Sequence, residues 1–504
     1  MILNEIHWTQ QAAYPILGML QLVPLLGASL LLLLGERHIA VAIGRGIALI
    51  ELLLAIDLFR GIKAASPAMQ FAEKMVLLDP FTYHAAADGI TVLFVLLTAL
   101  VVLLLTIYSL VRGLAEPARL LAVILAVEAV LMSQLVTTNL LWFVLASLLE
   151  LGLVGYLLWN WATSPEKDTM LARFYQFQGT GLLLLLMGTM LLGWFHAEAT
   201  GGNWSFELAD LRAVPIGGAV GSVVFFLLFY GMGIRTPIFP LHGWLPWVAQ
   251  HGNVAIAPAL LLGIKIGIYG LIRFVFPLVP GAVMQWHSFA VAFAAAGVFY
   301  AAFLAFLQSD LRRLMAFAVV SHTSLLIIGL FSLHAEGFQG SILLAVNFGL
   351  AMTVMLFIVG FVYRRTHTTV LDQLGGLFDR IPFIGVSFLL GGLAIVGMPG
   401  TPGFDAAHLV LEASIERLGA LLTVAVALGN VAAAGFLLWA FQRAFLAPRN
   451  EESRFGTIER TLPMEYLVVG SAVLVLLIAG FYLEPWMKLI EAPLYELAER
   501  FEHP

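Results

Sequence analysis

The sequence predicts an all-α integral membrane protein of about fourteen transmembrane helices, with two five-helix inverted repeats and broken helices 7 and 12. Three observations predict it. Apolar residues make up 61% of the 504 residues and charged residues 11%, against about half and about a quarter in soluble chains. At ~20 residues per crossing, the apolar runs leave only short loops between them. Two runs are interrupted by clustered prolines and glycines. A soluble enzyme on an anchor is excluded, because no polar stretch is long enough to fold as one. A transmembrane β-barrel would need alternating segments of ~10 residues. Backbone groups in lipid must be satisfied within a helix or a closed barrel, so no strands are expected.

The first run, 14–35, follows an N-terminus (MILNEIHWTQQ) without Lys or Arg, and reads as a retained span rather than a cleaved signal. Runs at 39–59, 82–111, 119–136, 138–160 and 172–195 give the second to sixth spans. The seventh, 215–250, holds Pro237, Pro240 and Pro246. Proline removes a backbone donor and clashes with the preceding turn, so a break is expected where protein or water satisfies the freed groups. Spans eight to eleven fall at 254–278, 287–307, 312–333 and 340–363. The twelfth, 382–414, is broken by Pro399, Gly400, Pro402 and Gly403, and 418–445 and 463–484 complete the set. The breaks sit five spans apart, as a repeat of spans 4–8 in spans 9–13 would place them. Paired interruptions of this kind point to an ion or substrate site; a kinked helix plus a misjudged loop is the other reading. The expected segments are 1–117 (helices 1–3), 118–278 and 279–445 (the two repeats), and 446–504 (helix 14 and a C-terminal tail).

Loops after odd-numbered spans carry Arg112, Arg119, Lys167, Arg173, Arg312, Arg313, Arg364, Arg365, Arg380, Arg443, Arg449, Arg454 and Arg460. The positive-inside rule makes these loops cytoplasmic and both termini periplasmic, in the inner membrane of a bacterium. Net charge is −6, with no basic block for nucleic acid. With 0 Cys the chain holds no thiolate-ligated iron–sulfur cluster. Gly375 and Gly376 read as a turn, and no cofactor site is expected in this chain.

Ionisable residues at mid-span are costly and usually functional. Glu128 lies in the fourth span, Glu150 in the fifth, Arg235 just ahead of the first break, Lys265 in the eighth and His322 in the tenth. Together they have the composition of a proton relay; buried structural pairs are the alternative. Glu51 and Asp57 in the second span are ambiguous, with Asp57 near an end and water. Asp405, His408 and Glu412 follow the second break at spacings that share one helix face. They are secondary exit candidates, and their residue types also suit a metal face, though no metal site is assigned.

The stretches PIFPLHGWLP (237–246), KIGIYGLIRF (265–274), QSDLRRLMAFAVVSH (308–322), DGITVLFVLLTAL (88–100), FQGSILLAVNFGL (338–350), RTHTTVLDQLGGL (365–377) and VGMPGTPGF (396–404) carry a resemblance over roughly residues 80–445. The chain resembles the antiporter-like membrane subunits of respiratory complex I, the Mrp antiporters and the membrane-bound hydrogenases, the M-type (D-type) complex I subunit above all. The resemblance implies proton transfer along a central hydrophilic axis. Glu150 takes the place of the fifth-span glutamate, Lys265 of the eighth-span lysine and His322 of the tenth-span histidine. It implies as partners other antiporter-like subunits, lipids and a peripheral redox or zinc-protein arm, with quinone, flavin, iron–sulfur or zinc confined to those partners. Five positions depart from the pattern. Arg235 stands at the seventh-span lysine, Trp247 at an acidic residue, Phe348 at the eleventh-span histidine, Ala407 at the twelfth-span glutamate and Asn139 at the usual aspartate. The expected function is therefore a proton-translocating subunit of a complex I-like assembly. The alternatives are a membrane subunit of an ion-gradient-coupled CO2 uptake complex and a non-conducting spacer.

Overall fold

The computed structural model describes residues 5–64, 66–78, 81–448 and 458–502; Arg449 and Arg454 lie outside them. The chain is a multi-pass membrane protein. Among the described residues thirteen helices are long and apolar enough to cross a membrane, and the broken twelfth span adds another crossing in two pieces.

The N-terminal segment holds α1 (Ile16–Leu34), α2 (His38–Gly61) and α3 (Gly89–Arg112). The expectation of no strands fails here. β1 (Glu5–His7), β2 (Met69–Leu78) and β3 (Phe81–Ala87) form a three-stranded sheet, with β2 antiparallel to β3. Phe81–Ala87 is continuous in hydropathy with the third span, which hid it. The true start of α3 is set by Asp88, whose carboxylate accepts the Thr91 N–H at 2.9 Å as an N-cap.

The first set of five spans comprises α4 (Pro117–Val136), α5 (Leu140–Trp161), α6 (Lys167–Ala199), the short α7 (Leu208–Ala213), then α8 (Gly218–Arg235) and α9 (Leu245–His251) either side of the break. It closes with α10 (Ala257–Gly270), a wide turn at Leu271–Val275, and α11 (Phe276–Leu278). The second set is α12 (Pro280–Phe306), α13 (Leu311–Leu330), α14 (Ala335–Thr366), the pair α15 (Pro382–Ile395) and α16 (Pro402–Arg417) flanking the second break, and α17 (Ala420–Phe441). α18 (Pro463–Phe481) follows.

The expected C-terminal tail is in fact a helix, α19 (Glu484–Glu502). It is amphipathic: Leu489, Ile490, Leu494, Leu497, Ala498 and Phe501 are buried at helical spacing. It lies against α3, α12 and α14. At Gly89, any β-carbon would collide with the Leu489 carbonyl, so only glycine permits this approach. α10, α13 and α14 are the most enclosed spans, and they position the site.

Candidate functional site

α8 ends at Arg235, because Pro237 and Pro240 follow and cannot continue the helix. The break leaves the Ile234 carbonyl to be satisfied from outside, and the Trp244 indole N–H donates to it at 3.0 Å. Thr236 donates to the Ile264 carbonyl at 3.0 Å, which ties the break to α10. The Arg235 side chain is thereby turned inward.

Arg235 is buried and fully used. Its Nε donates to the Gly263 carbonyl at 3.0 Å, one terminal nitrogen to Ser147 at 2.8 Å, and the other to the Gln134 side-chain oxygen at 2.6 Å and to Glu150. The Gln134 amide donates back to Glu150 at 2.9 Å. The result is a closed ring of Gln134, Glu150 and Arg235 drawn from α4, α5 and α8, with Ser147 attached to it through Arg235. Gly263 leaves room for Glu150, because a β-carbon there would displace the Glu150 carboxylate. A cavity lined by Ser147, Glu150, Arg235, Phe174 and Trp244 reaches this ring. It shares Val154, Leu260 and Ile264 with a second, mainly apolar cavity running to Asn253 and Arg312.

Lys265 belongs to a different cluster. Two residues along a helix turn a side chain by about 200°, so Gly263 faces Glu150 while Lys265 faces α14. Its Nζ is buried without a hydrogen-bond partner and sits over the Phe348 ring, 4.2 Å from its centroid. The other contact of Phe348 is His322, with centroids 4.4 Å apart and rings stacked. His322 Nε2 is also unpartnered. The benzyl ring at the expected histidine position thus lies against both groups. It attracts the ammonium as a cation–π partner but cannot pass a proton.

The remaining candidates lie apart from these two clusters. Glu128 does not join Glu150 and Arg235: it is fully buried on the other side of α4, where the charge it meets is Glu51 of α2. Asp405, His408 and Glu412 do share one face of α16, but that face is exposed. The buried face of α16 presents Gly403, Ala406, Val410 and Ala413 instead. Asp57 is exposed and accepts the Tyr14 hydroxyl at 2.6 Å. The second break is satisfied without charge. The Asn347 and Asn430 amides donate at 2.9 Å to the Ala394 and Val396 carbonyls.

Other buried polar groups escaped the sequence. Arg273 donates to Asp88 at 2.7 Å across 185 residues, and Tyr269 donates to the Leu135 carbonyl. Burial pushes the Asp88 carboxyl up, yet the Arg273 guanidinium outweighs it and holds the group below the usual carboxylate range. His84 of β3 lies between Glu207 at 2.6 Å and Glu5 at 3.2 Å, and Glu207 also accepts from Asn139, the N-cap of α5, at 3.0 Å. Burial alone would lower the His84 imidazolium, but the two carboxylates overcome it and raise the group to about 9. Gln134 was visible only as a lone amide in an apolar run.

A family model described as NADH:quinone oxidoreductase/Mrp antiporter, transmembrane, matches residues 137–432, more than half of the chain. NADH-quinone oxidoreductase subunit M of Rhodobacter capsulatus is 28% identical over 449 residues, 86% of this chain and 85% of that one. F(420)H(2) dehydrogenase subunit M of Methanosarcina mazei is 27% identical over 481 residues, 94% and 95% of the two chains. A chain of respiratory complex I from Thermus thermophilus superposes with a TM-score of 0.84 at 26% identity, covering 96% of this chain and 99% of that one. A chain of the Mrp complex from Dietzia sp. superposes at 0.86 with 17% identity, covering 96% and 97%, which shows the shared fold.

Proposed function

The chain belongs to the NADH:quinone oxidoreductase/Mrp antiporter family, and from that premise we propose that it is an antiporter-like subunit of a complex I-like assembly that moves protons through mid-membrane groups. The observation that carries this reading is the Glu150–Arg235 pair at the first helix break, reached by a cavity. A buried carboxylate that water can reach is a place for a proton to be taken up. Because arginine keeps its proton, it acts as the fixed charge that sets Glu150, and Glu150 is the carrier. The proton then crosses α10 to Lys265, whose unpartnered ammonium can give one up, and reaches His322 through water that bypasses the Phe348 ring. The adjoining cavities toward Arg312 supply the cytoplasmic approach. Redox cofactors and a peripheral arm belong to partner subunits, alongside sister membrane subunits. The location is the inner membrane of a bacterium with both termini periplasmic.

The test is proton uptake by the purified assembly in sealed vesicles. Glu150→Gln and Lys265→Ala are each expected to abolish coupled uptake while electron transfer persists. Unchanged uptake in both variants would overturn the reading. One observation favours a non-conducting spacer instead: Arg235 is locked by four hydrogen bonds and Phe348 separates Lys265 from His322. In a spacer, replacing Glu150 and Arg235 together by Gln leaves uptake by the assembly intact. In a conductor it does not.

A further inference from the structure

Glu51 and Glu128 stand apart from the axis just described and have no partner in it. The register that brings them together can be read from neighbouring contacts. A β-carbon on Gly44 of α2 would meet Leu121 of α4, and one on Gly27 of α1 would meet Ile47 and lie against Leu125. α2 and α4 therefore run parallel. Two turns beyond Gly44 and Leu121, each helix places a glutamate. Both residues are fully buried, and all four carboxyl oxygens lack a hydrogen-bond partner. Each glutamate lies near the middle of its helix, about 1.5 Å of rise per residue from either end.

Among the described residues neither glutamate has an ion-pair partner: of the other elements packed on α4, α10 turns Lys265 to Phe348, α5 pairs Glu150 with Arg235, and β3 holds His84 between Glu5 and Glu207. α1 (Ile16–Leu34) contains no titratable residue. On α2 the nearest charged groups are Arg45, whose Nε donates to the Val41 carbonyl, and Asp57, which accepts from Tyr14. α4 has otherwise only Arg119, near its start, and α3 has Tyr108 and Arg112 at its far end. A second feature marks the same layer. Pro24 is buried inside α1 and has no N–H for the Leu20 carbonyl, so that backbone acceptor loses its helical donor. α1 runs antiparallel to α2 and α4, and the layers Leu31/Gly44/Leu121 and Gly27/Ile47/Leu125 lead next to Pro24, Glu51 and Glu128.

We propose that Glu51 and Glu128 form a proton-holding carboxyl pair between α2 and α4, separate from the Glu150–Lys265 axis. Two carboxylates in an apolar layer repel each other and neither is solvated, whereas one shared proton turns the repulsion into a carboxyl–carboxylate hydrogen bond. A second proton can be donated to the carbonyl freed by Pro24. Four unpartnered carboxyl oxygens and one freed carbonyl suit a proton better than a sodium ion, which needs a fuller oxygen cage. The proposal does not depend on conduction through Glu150, because the pair can hold its proton whether or not the axis conducts.

The experiment is infrared spectroscopy of the purified native assembly in water and deuterium oxide, wild type against Glu51→Gln, Glu128→Gln and the double variant. These substitutions nearly preserve shape. The expected result is a protonated-carboxyl stretch at neutral pH that downshifts in deuterium oxide, disappears in the double variant and is unmoved by exchanging Na+ for K+. Absence of any protonated-carboxyl stretch assignable to the pair would overturn the proposal. So would a pair of carboxylate bands that move with Na+, since that would identify a sodium site. As a second readout, wild-type thermal stability is expected to fall between neutral and strongly alkaline pH, with that fall diminished in the double variant; an identical fall in both would count against the pair. Proton uptake through the axis, measured on the same variants, is expected to persist, so failure here is distinguishable from failure of the axis.

Discussion

The two helix breaks solve one problem with different chemistry. Each leaves backbone carbonyls in the membrane without an intrahelical donor. At the first break the Trp244 indole satisfies the Ile234 carbonyl, and the Arg235 guanidinium beside it is held by Glu150, Gln134 and Ser147. At the second the donors are two asparagine amides, and the charges of α16 face outward. A break therefore does not by itself imply buried charge. The charge at the first break exceeds what the backbone needs, and it is there that function is to be sought.

The largest effect is expected at Glu150. Glu150→Ala leaves the Arg235 guanidinium buried and unpaired. It is expected to destabilise the subunit by about 3–5 kcal/mol, the usual consequence of removing one member of a buried pair, as read from thermal release of the subunit from its assembly. At the second break, Asn347→Leu orphans one carbonyl and should cost about 1–3 kcal/mol in the same assay. If the two effects proved equal, the distinction between the breaks would fail. Phe348→His sharpens the comparison functionally. It places a hydrogen-bonding ring between Lys265 and His322, and proton uptake is expected to rise several-fold; no change would show that Phe348 does not limit transfer. Asp405→Asn, on the exposed face of α16, should shift stability by less than about 0.5 kcal/mol. A larger loss would mean that Asp405 is covered in the assembly.

A pH-dependent effect is expected in the sheet. His84 is raised to about 9 in the fold, from near 6.5, and burial raises Glu73 of β2 to about 7 despite N–H donors at Leu17 and Gly18. Both groups bind protons more tightly when folded, so their stabilisation is complete at low pH. It is lost through pH 4.5–7 for Glu73 and 6.5–9 for His84. Amide protection of β2 and β3, after correction for intrinsic base-catalysed exchange, should fall between pH 6.5 and 9, and His84→Gln should flatten that fall.

Legibility in the sequence followed the range over which its signals act. The spans and both breaks were readable, because twenty apolar residues and a proline cluster are local patterns. Glu150, Arg235, Lys265 and His322 were readable as charges out of place, although their division into two clusters on opposite sides of α10 needed the register of Gly263. Gln134, Asn347 and Asn430 were not, since a single amide in an apolar run carries no spacing. Asp88 and Arg273 are too far apart in the chain to be paired by inspection. Strand β3 was hidden by its continuity with the third span. α19 did carry a signal, the helical spacing of Leu489, Ile490, Leu494, Leu497, Ala498 and Phe501, masked by the charged residues between them.

That last helix constrains how the molecule can work. α19 is seated backbone to backbone on Gly89 of α3, and its Phe501 ring meets Phe276 of α11 and Phe338 of α14. It therefore touches the N-terminal segment and both sets of five spans at once, like a tie-bar across three girders. Transporters that alternate access by rocking one half against the other need those halves free to swing. Here a swing would have to shear a contact that admits no slack. Gating confined to side chains and water would leave these contacts intact.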